Sequence, residues 1–98
     1  MSKNREIGDT FDSIADMLDL REDNPFRIRA YRNAARNIRE LSEDIEKLAE
    51  RDELTKIPGI GTDLAQKIKE FITTGRINDY EKLKKKVPEG LEIGRAHV

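Results

Sequence analysis

The apolar residues of this 98-residue chain recur every three or four positions, and no segment alternates apolar and polar residues with a period of two. A spacing of three to four places apolar side chains on one face of an α-helix, whereas alternation is typical of a half-buried strand. The pattern therefore predicts an all-α fold, a compact bundle of four to five short helices around a single small core.

The composition limits both the core and the chemistry. Hydrophobic residues make up 36% of the chain and charged residues 40%, so the predicted core is thin and the domain only marginally stable. There is no cysteine and only one histidine, which excludes disulfides, a thiolate nucleophile and a zinc site built from His and Cys. No apolar run approaches the roughly 18 residues of a membrane span, and we expect no membrane partner.

Helix boundaries are predicted from capping residues. Asn24 followed by Pro25 is typical of an N-cap with proline in the first turn, and Gly75 is typical of the residue that ends a helix. The residues predicted to cap the other helices are Ser42, Thr62 and Asn78. The apolar positions of the second helix are Phe26, Ala30, Tyr31, Ala34, Ala35, Ile38 and Leu41.

Charge is segregated along the chain although the net charge is −1. Residues 25–41 and 51–87 are basic, and residues 1–24 and 42–50 are acidic. At about 100° per residue, four arginines of the second helix fall on one stripe opposite its apolar face. They are Arg29, Arg32, Arg36 and Arg39. The stripe could bind phosphate or dock protein, or it could be a solvated face whose charges pair within the chain.

The segment LTKIPGIGTDLAQKI places two glycines around Ile60, immediately before a helical pattern. Gly59 and Gly61 can adopt positive φ and let another backbone approach, while Ile60 points into the core. The N–H groups of Gly61, Thr62 and Asp63 would then face outward at a helix N-terminus, where a phosphate can bind. The alternative is a tight turn that needs glycine for geometry alone; the fixed spacing to the surrounding apolar residues favours phosphate binding.

This segment resembles a helix-hairpin-helix, a motif that binds the DNA backbone without sequence specificity. With the flanking segments NPFRIRAYRNAARNIREL and EFITTGRINDYEKLKKKVPEGL, it is similar to the N-terminal domain of family X DNA polymerases, the polymerase beta-like repair enzymes, and most similar to their bacterial and archaeal type. The resemblance implies a cytoplasmic, nucleoid-associated domain that engages gapped or nicked DNA on its 5′-phosphate side in base excision repair. Its partners would be that DNA and the C-terminal polymerase domains of the full-length chain.

The resemblance also implies roles for individual residues. The residues implied to contact DNA are Gly59, Ile60, Gly61, Thr62, Arg27, Phe26 and Lys56. Among them Arg27 would hold the 5′-phosphate, and Phe26 stands where some relatives carry a histidine that stacks on a template base. A monovalent cation, Na⁺ or K⁺, would lie between a phosphate and the backbone carbonyls of Thr55, Ile57 and Ile60. A divalent metal would serve only the polymerase domain beyond this segment.

Lys67 matches the family's Schiff-base lysine, which attacks C1′ of a 5′-deoxyribose phosphate and drives β-elimination, and Tyr31 matches a tyrosine of that lyase pocket. Asp63 and Asp79 depart from the family pattern, because relatives carry phosphate-binding lysines there. Asp63 lies four residues before Lys67 on a helix and favours its charged form, whereas a Schiff-base lysine must be partly neutral. Lyase activity therefore stays open, and a non-catalytic DNA-binding or protein-interaction module is the alternative.

The final seven residues, EIGRAHV, fit nothing that precedes them. The codons GAG ATC GGA AGA GCA CAC GTC would encode them, and that string matches a common sequencing-library adapter. We therefore expect the DNA-binding domain to comprise residues 1–91 and residues 92–98 to be a non-native tail, with the natural protein continuing beyond this fragment.

Overall fold

The computed structural model describes residues 3–85, and side chains as far as residue 84; the predicted tail lies outside these residues. Within them the chain forms helices and turns without strands, which confirms the all-α prediction. The elements in order are α1 (Lys3–Leu20), α2 (Pro25–Arg39), α3 (Ile45–Glu50), a 3₁₀ turn (Leu54–Lys56), α4 (Thr62–Thr74) and α5 (Asn78–Lys85). None of these helices is long and apolar enough to cross a membrane.

The helices α1 and α2 form an antiparallel hairpin that frames the fold. The Asn24 side chain accepts a hydrogen bond from the Phe26 N–H at 2.8 Å, which confirms the predicted N-cap with Pro25 in the first turn. Gly8 allows the two helices to approach closely, because a Cβ there would lie 2.9 Å from Cγ of Arg39 and 3.3 Å from the carbonyl oxygen of Ala35.

The core is built from one face of each helix and from the segment around the 3₁₀ turn. The largest fully buried side chains are Phe11, Ile7, Ile14, Leu18, Ile38, Ile45, Leu54, Ile68 and Ile77. The ring of Phe11 meets Tyr31 edge to face at a centroid distance of 5.4 Å, a favoured aromatic geometry. Two predicted apolar positions of α2 are not part of this core: Phe26 is 74% exposed and Ala30 is also exposed.

Three predicted caps were wrong. The helix α3 is capped by Asp44 rather than Ser42, because buried Asn4 of α1 accepts a hydrogen bond from the Ile45 N–H at 2.8 Å and fixes where α3 begins. Thr62 is the first residue of α4 and Gly61 its cap. At α5, the Glu70 carboxylate accepts the Asn78 N–H at 2.8 Å, so a side chain from α4 satisfies this helix start.

Candidate nucleic-acid interface

The glycine turn forms a compact hairpin between the 3₁₀ turn and α4. The Ile57 N–H donates to the Leu54 carbonyl at 3.1 Å, and the Ile60 N–H donates to the Ile57 carbonyl at 3.0 Å. Both isoleucine side chains are buried, as predicted for Ile60. Gly59 has a φ of +84°, in the left-handed region that favours glycine. The hairpin is therefore held by two hydrogen bonds within its own backbone and by the buried side chains of Ile57 and Ile60.

Gly61 does not use the positive φ that the sequence analysis allowed for both glycines. Its φ is −91° and its ψ −173°, an extended conformation that any residue adopts. A Cβ at Gly61 would meet no protein atom within 4 Å. Neither backbone geometry nor packing of this domain thus requires glycine at position 61, which leaves open space in front of the N-terminus of α4.

Three N–H groups at this end of α4 make no hydrogen bond among the described residues. They are the N–H groups of Gly61, Thr62 and Asp63, and the first bond of α4 at this end runs from the Ala65 N–H to the Gly61 carbonyl at 2.9 Å. The first N–H groups of a helix have no intrahelical partner, and together with the helix dipole they favour a bound anion. The geometry agrees with the phosphate-binding alternative.

The carbonyls predicted to hold a monovalent cation lie in the same hairpin. Within residues 3–85 no donor bonds to the carbonyls of Thr55 or Ile60, whereas the Ile57 carbonyl accepts from the Ile60 N–H. A carbonyl oxygen has a second lone pair, so all three can still coordinate a hard cation. These residues therefore fit the group that the resemblance implies.

Asn37 of α2 contacts the hairpin and was not anticipated from the sequence. Its Nδ2 donates to the Pro58 carbonyl at 2.7 Å. A weak signal existed: asparagine is a poor helix former, yet it stands in the interior of α2 beside the apolar face. The side chain joins α2 directly to the turn.

The predicted lyase residues gather at a second location. Nζ of Lys67 lies 3.0 Å from Oδ2 of Asp79 and 3.5 Å from Oδ1 of Asp63, and its side chain is only 13% exposed. Burial lowers the pKa of Lys67, but the hydrogen bond to Asp79 and the nearby Tyr31, Asp79 and Asp63 together raise it above its ordinary value. The ammonium form of Lys67 is therefore the favoured one.

Tyr31 and Asp79 share this environment. Burial raises the pKa of the Tyr31 phenol, although the charges of Lys67 and Arg27 oppose the shift. The hydrogen bond from Lys67 lowers the pKa of Asp79; partial burial opposes this and the charges of Lys67, Lys82 and Arg27 reinforce it. Lys67 and Arg27 are thus both close enough to act on the charges of Tyr31 and Asp79, and the lyase roles of Lys67 and Tyr31 stay predictions.

A cavity of about 240 Å³ opens beside this cluster, between the end of α1, the start of α2 and α5. Its polar lining is Arg21, Asp23, Arg27, Tyr31, Asp79 and Lys82. The sequence analysis did not place Arg21 and Lys82 beside Arg27, because the two residues lie about 60 positions apart in sequence and no spacing rule links them. Phe26 stands next to Arg27 with the Arg29 guanidinium 5.7 Å from its ring centroid.

The arginine stripe is partly neutralised by α1. Arg39 bonds Asp9 at 2.6 Å and Asp12 at 2.8 Å, and Arg32 lies 3.1 Å from Asp16. Lys56 of the hairpin lies 3.4 Å from Glu53 and stays mostly exposed. The alternative in which the stripe's charges pair within the chain therefore describes Arg32 and Arg39.

Two comparisons of the sequence with known proteins show what this chain is similar to. The protein "DNA polymerase/3′-5′ exonuclease PolX" of Bacillus subtilis (strain 168) is 38% identical over 87 residues, which are 89% of this chain but 15% of that protein. The chain thus spans a small part of this relative. The identity over these 87 residues confirms the resemblance to family X DNA polymerases. A family model described as a helix-hairpin-helix domain matches residues 2–77. The chain therefore belongs to the helix-hairpin-helix domain family.

Proposed function

We propose that this chain is the DNA-binding domain of a repair polymerase and engages the 5′-phosphate side of gapped or nicked DNA through the backbone of its hairpin. One observation carries the proposal: the N–H groups of residues 61–63 have no acceptor among the described residues, and the space before them is open. Backbone N–H groups bind any phosphate alike, so the contact would position the DNA without reading its sequence. The similarity to the PolX polymerase supports a polymerase domain as its partner in the full-length protein.

Within this proposal the cation and the basic residues have secondary roles. Na⁺ or K⁺ on the carbonyls of Thr55, Ile57 and Ile60 would offset charge on the bound phosphate. Arg27 would meet the 5′-phosphate, because it lines the cavity beside Tyr31. Exposed Phe26 offers a ring on which a base can stack.

Gly61→Val tests the hairpin contact. A valine side chain would fill the open space before the free N–H groups, and we expect the affinity for a one-nucleotide gapped duplex to fall by roughly tenfold, which corresponds to about 1.4 kcal/mol. Fluorescence anisotropy at a temperature where the protein is fully folded measures the affinity. The same duplex with a 5′-hydroxyl in place of the 5′-phosphate measures the contribution of that phosphate.

Two further variants separate this contact from helix stability. Valine is a weaker N-cap than glycine, so Gly61→Thr provides the same bulk with a capping hydroxyl and should bind as poorly as Gly61→Val. Asp44→Ala removes the cap of α3, away from the hairpin, and should bind like the wild type. Unchanged affinity in both Gly61 variants would reject the hairpin as the DNA contact.

A second function, the 5′-deoxyribose-phosphate lyase step, is favoured by the clustering of Lys67 with Tyr31 and Arg27 beside a cavity. The ion pairs of Lys67 oppose it, because they hold the amine in its protonated form. We therefore propose that Lys67 is a slow nucleophile in the wild type, limited by Asp79, its closest anionic partner.

Borohydride trapping on gapped DNA that carries a 5′-deoxyribose phosphate tests the lyase step. Asp79→Asn should trap several-fold more adduct per minute than the wild type at pH 7, because each unit by which the pKa of Lys67 falls gives up to about tenfold more free amine. Lys67→Ala is the control and should lose the adduct. Absence of any adduct in Asp79→Asn, with binding intact, would leave a non-catalytic module that positions gapped DNA.

A further inference from the structure

Asn37 provides the one side-chain hydrogen bond from α2 to the hairpin among the described residues. The bond joins positions 21 residues apart in sequence, from Nδ2 of Asn37 to the Pro58 carbonyl at 2.7 Å. A carbonyl only accepts, so the amide nitrogen and not the amide oxygen must face Pro58. The contact is therefore specific to a donor at position 37, which an aspartate or a leucine of similar size would not supply.

The same amide group lies against Gly59. The φ of +84° disfavours any side chain at position 59, and a Cβ there would also lie 3.3 Å from Nδ2 of Asn37. A side chain on the turn would therefore press on the amide of Asn37, which would have to shift by a few tenths of an ångström. Helix α2 and the turn are therefore in direct contact at Asn37, Pro58 and Gly59.

The other anchors of the hairpin are apolar. Ile57 and Ile60 are buried and hold the turn against the core, but apolar contacts are non-directional. A hydrogen bond has a preferred direction at a carbonyl oxygen, so it can fix the rotation of the Pro58–Gly59 peptide. That rotation determines where the following N–H groups point.

We propose that Asn37 is a positioning residue: its amide, donated from α2, fixes the Pro58 carbonyl and thereby aims the N–H groups of Gly61, Thr62 and Asp63 at a DNA phosphate. The proposal rests on the proposed function of the hairpin for its final step. The orientation of the turn by Asn37 is a property of the free protein and can be measured without DNA.

Asn37→Ala tests the proposal, and Asn33→Ala is the matched control. Both replace an asparagine of the same helix with the best helix former, so α2 is expected to fold in both. Asn33 is bonded by the Arg36 guanidinium within α2 rather than by the hairpin. We expect Asn37→Ala to bind gapped duplex roughly fivefold more weakly, about the value of one hydrogen bond, and Asn33→Ala to bind within twofold of the wild type.

Two measurements distinguish a change in the direction of the hairpin N–H groups from a general loss of stability. The slope of log affinity against log salt concentration reports contacts of Lys and Arg with phosphates, so it should be unchanged in Asn37→Ala while affinity falls at every salt concentration. In the protein without DNA, the Ile60 amide should exchange its hydrogen roughly tenfold faster, while the Ile68 amide keeps its rate, because only the turn has loosened.

The outcomes are separable from those of the hairpin test. If Gly61→Val weakens binding, then wild-type affinity in Asn37→Ala or an equal loss in Asn33→Ala would overturn the role of Asn37. An unchanged exchange rate at Ile60 would overturn it in either case. If Gly61→Val leaves DNA binding intact, the proposed function fails, but faster exchange at Ile60 in Asn37→Ala would still show that Asn37 orients the turn.

Discussion

At the scale of single residues, the protonation state of Lys67 is set by its immediate neighbours. Burial alone would lower its pKa and make the amine a better nucleophile, but the hydrogen bond to Asp79 and the surrounding negative charge outweigh it. Asp79 is the closer of the two carboxylates and Asp63 the more exposed, at 51% and 84% side-chain exposure. Both positions therefore reduce the reactivity of the lysine, and Asp79 has the larger influence.

The Lys67–Asp79 pair predicts a pH-dependent contribution to stability. The folded-state pKa of Asp79 is lowered from its ordinary value of 3.8, so its contribution is present above that pH and is lost as the pH falls through the folded-state pKa. The folded-state pKa of Lys67 is raised from 10.5, so its contribution is present below that pH and is lost as the pH rises further. Between these limits the pair stabilises the native state fully.

Thermal unfolding of Asp79→Asn between acidic and neutral pH measures this contribution. At pH 7 we expect the variant to lose about 1 kcal/mol or less, because the pair is partly exposed to solvent, and the loss should disappear as the pH falls through the folded-state pKa of Asp79. Asp63→Asn is the control, since it also lies in the first turn of a helix, and its loss should be smaller. A loss in Asp79→Asn that persists at low pH would assign the effect to the start of α5 instead of the ion pair.

At the scale of elements, two helices end with charged residues where glycine is customary. Glu22 after α1 and Asp52 after α3 have φ values of +56° and +57°. The Asp23 N–H bonds the Leu18 carbonyl at 2.9 Å, and the Glu53 N–H bonds the Leu48 carbonyl at 2.8 Å. These are the hydrogen bonds of a Schellman motif. Both helix ends therefore have the usual capping hydrogen bonds, although Glu22 and Asp52 adopt a left-handed backbone conformation that side chains disfavour.

Glu22→Gly should therefore stabilise the domain. A side chain in the left-handed region costs about 1–2 kcal/mol, and glycine returns part of that gain as entropy of the unfolded chain, which leaves about 0.5–1 kcal/mol. Chemical denaturation measures the change. Asp52→Gly should gain less, because Asp52 also accepts a 3.0 Å hydrogen bond from Lys69. A destabilised Glu22→Gly would show that the Glu22 side chain makes a compensating interaction.

At the scale of the whole molecule, several of the basic residues form ion pairs within the fold. Arg32, Arg39 and Arg51 each lie within 3.1 Å of a carboxylate oxygen, and Lys67 has two acidic neighbours. A net charge of −1 gives little general attraction to DNA. Binding through hairpin N–H groups is consistent with such a surface, because it needs few free cations.

A weak dependence of DNA affinity on salt concentration follows from this arrangement. Each phosphate neutralised by Lys or Arg contributes about 0.9 to the slope of log affinity against log salt concentration for duplex DNA, and we expect a slope no steeper than about −4 for gapped duplex. Anisotropy titrations between 50 and 300 mM KCl measure it. A slope steeper than about −6 would mean that the DNA backbone is bound extensively by the arginine stripe of α2 or by the lysines of α5, which are Lys82, Lys84 and Lys85.

Local signals in the sequence predicted the elements better than the contacts between them. Asn24–Pro25, Gly75 and the apolar spacing act within one or two turns of helix. The first two were confirmed, since Gly75 ends α4 with a φ of +85°, and the apolar spacing of α2 failed only at Phe26 and Ala30. The start of α3 and the pairing of Arg39 depend on residues of α1 that are about 30 to 40 positions away, which no spacing rule reaches. Asn37 was missed for the same kind of reason, because its partner Pro58 lies 21 positions further along the chain.

Gly61 also has a consequence for how variants of this protein would be scored. The domain does not need a glycine there, since its backbone is extended and its surroundings are empty. Assays of expression, solubility or thermal stability would therefore rank a threonine at position 61 as harmless. If the hairpin binds phosphate as proposed, such a variant would lose DNA affinity without losing stability, and only a measurement of binding would reveal the defect.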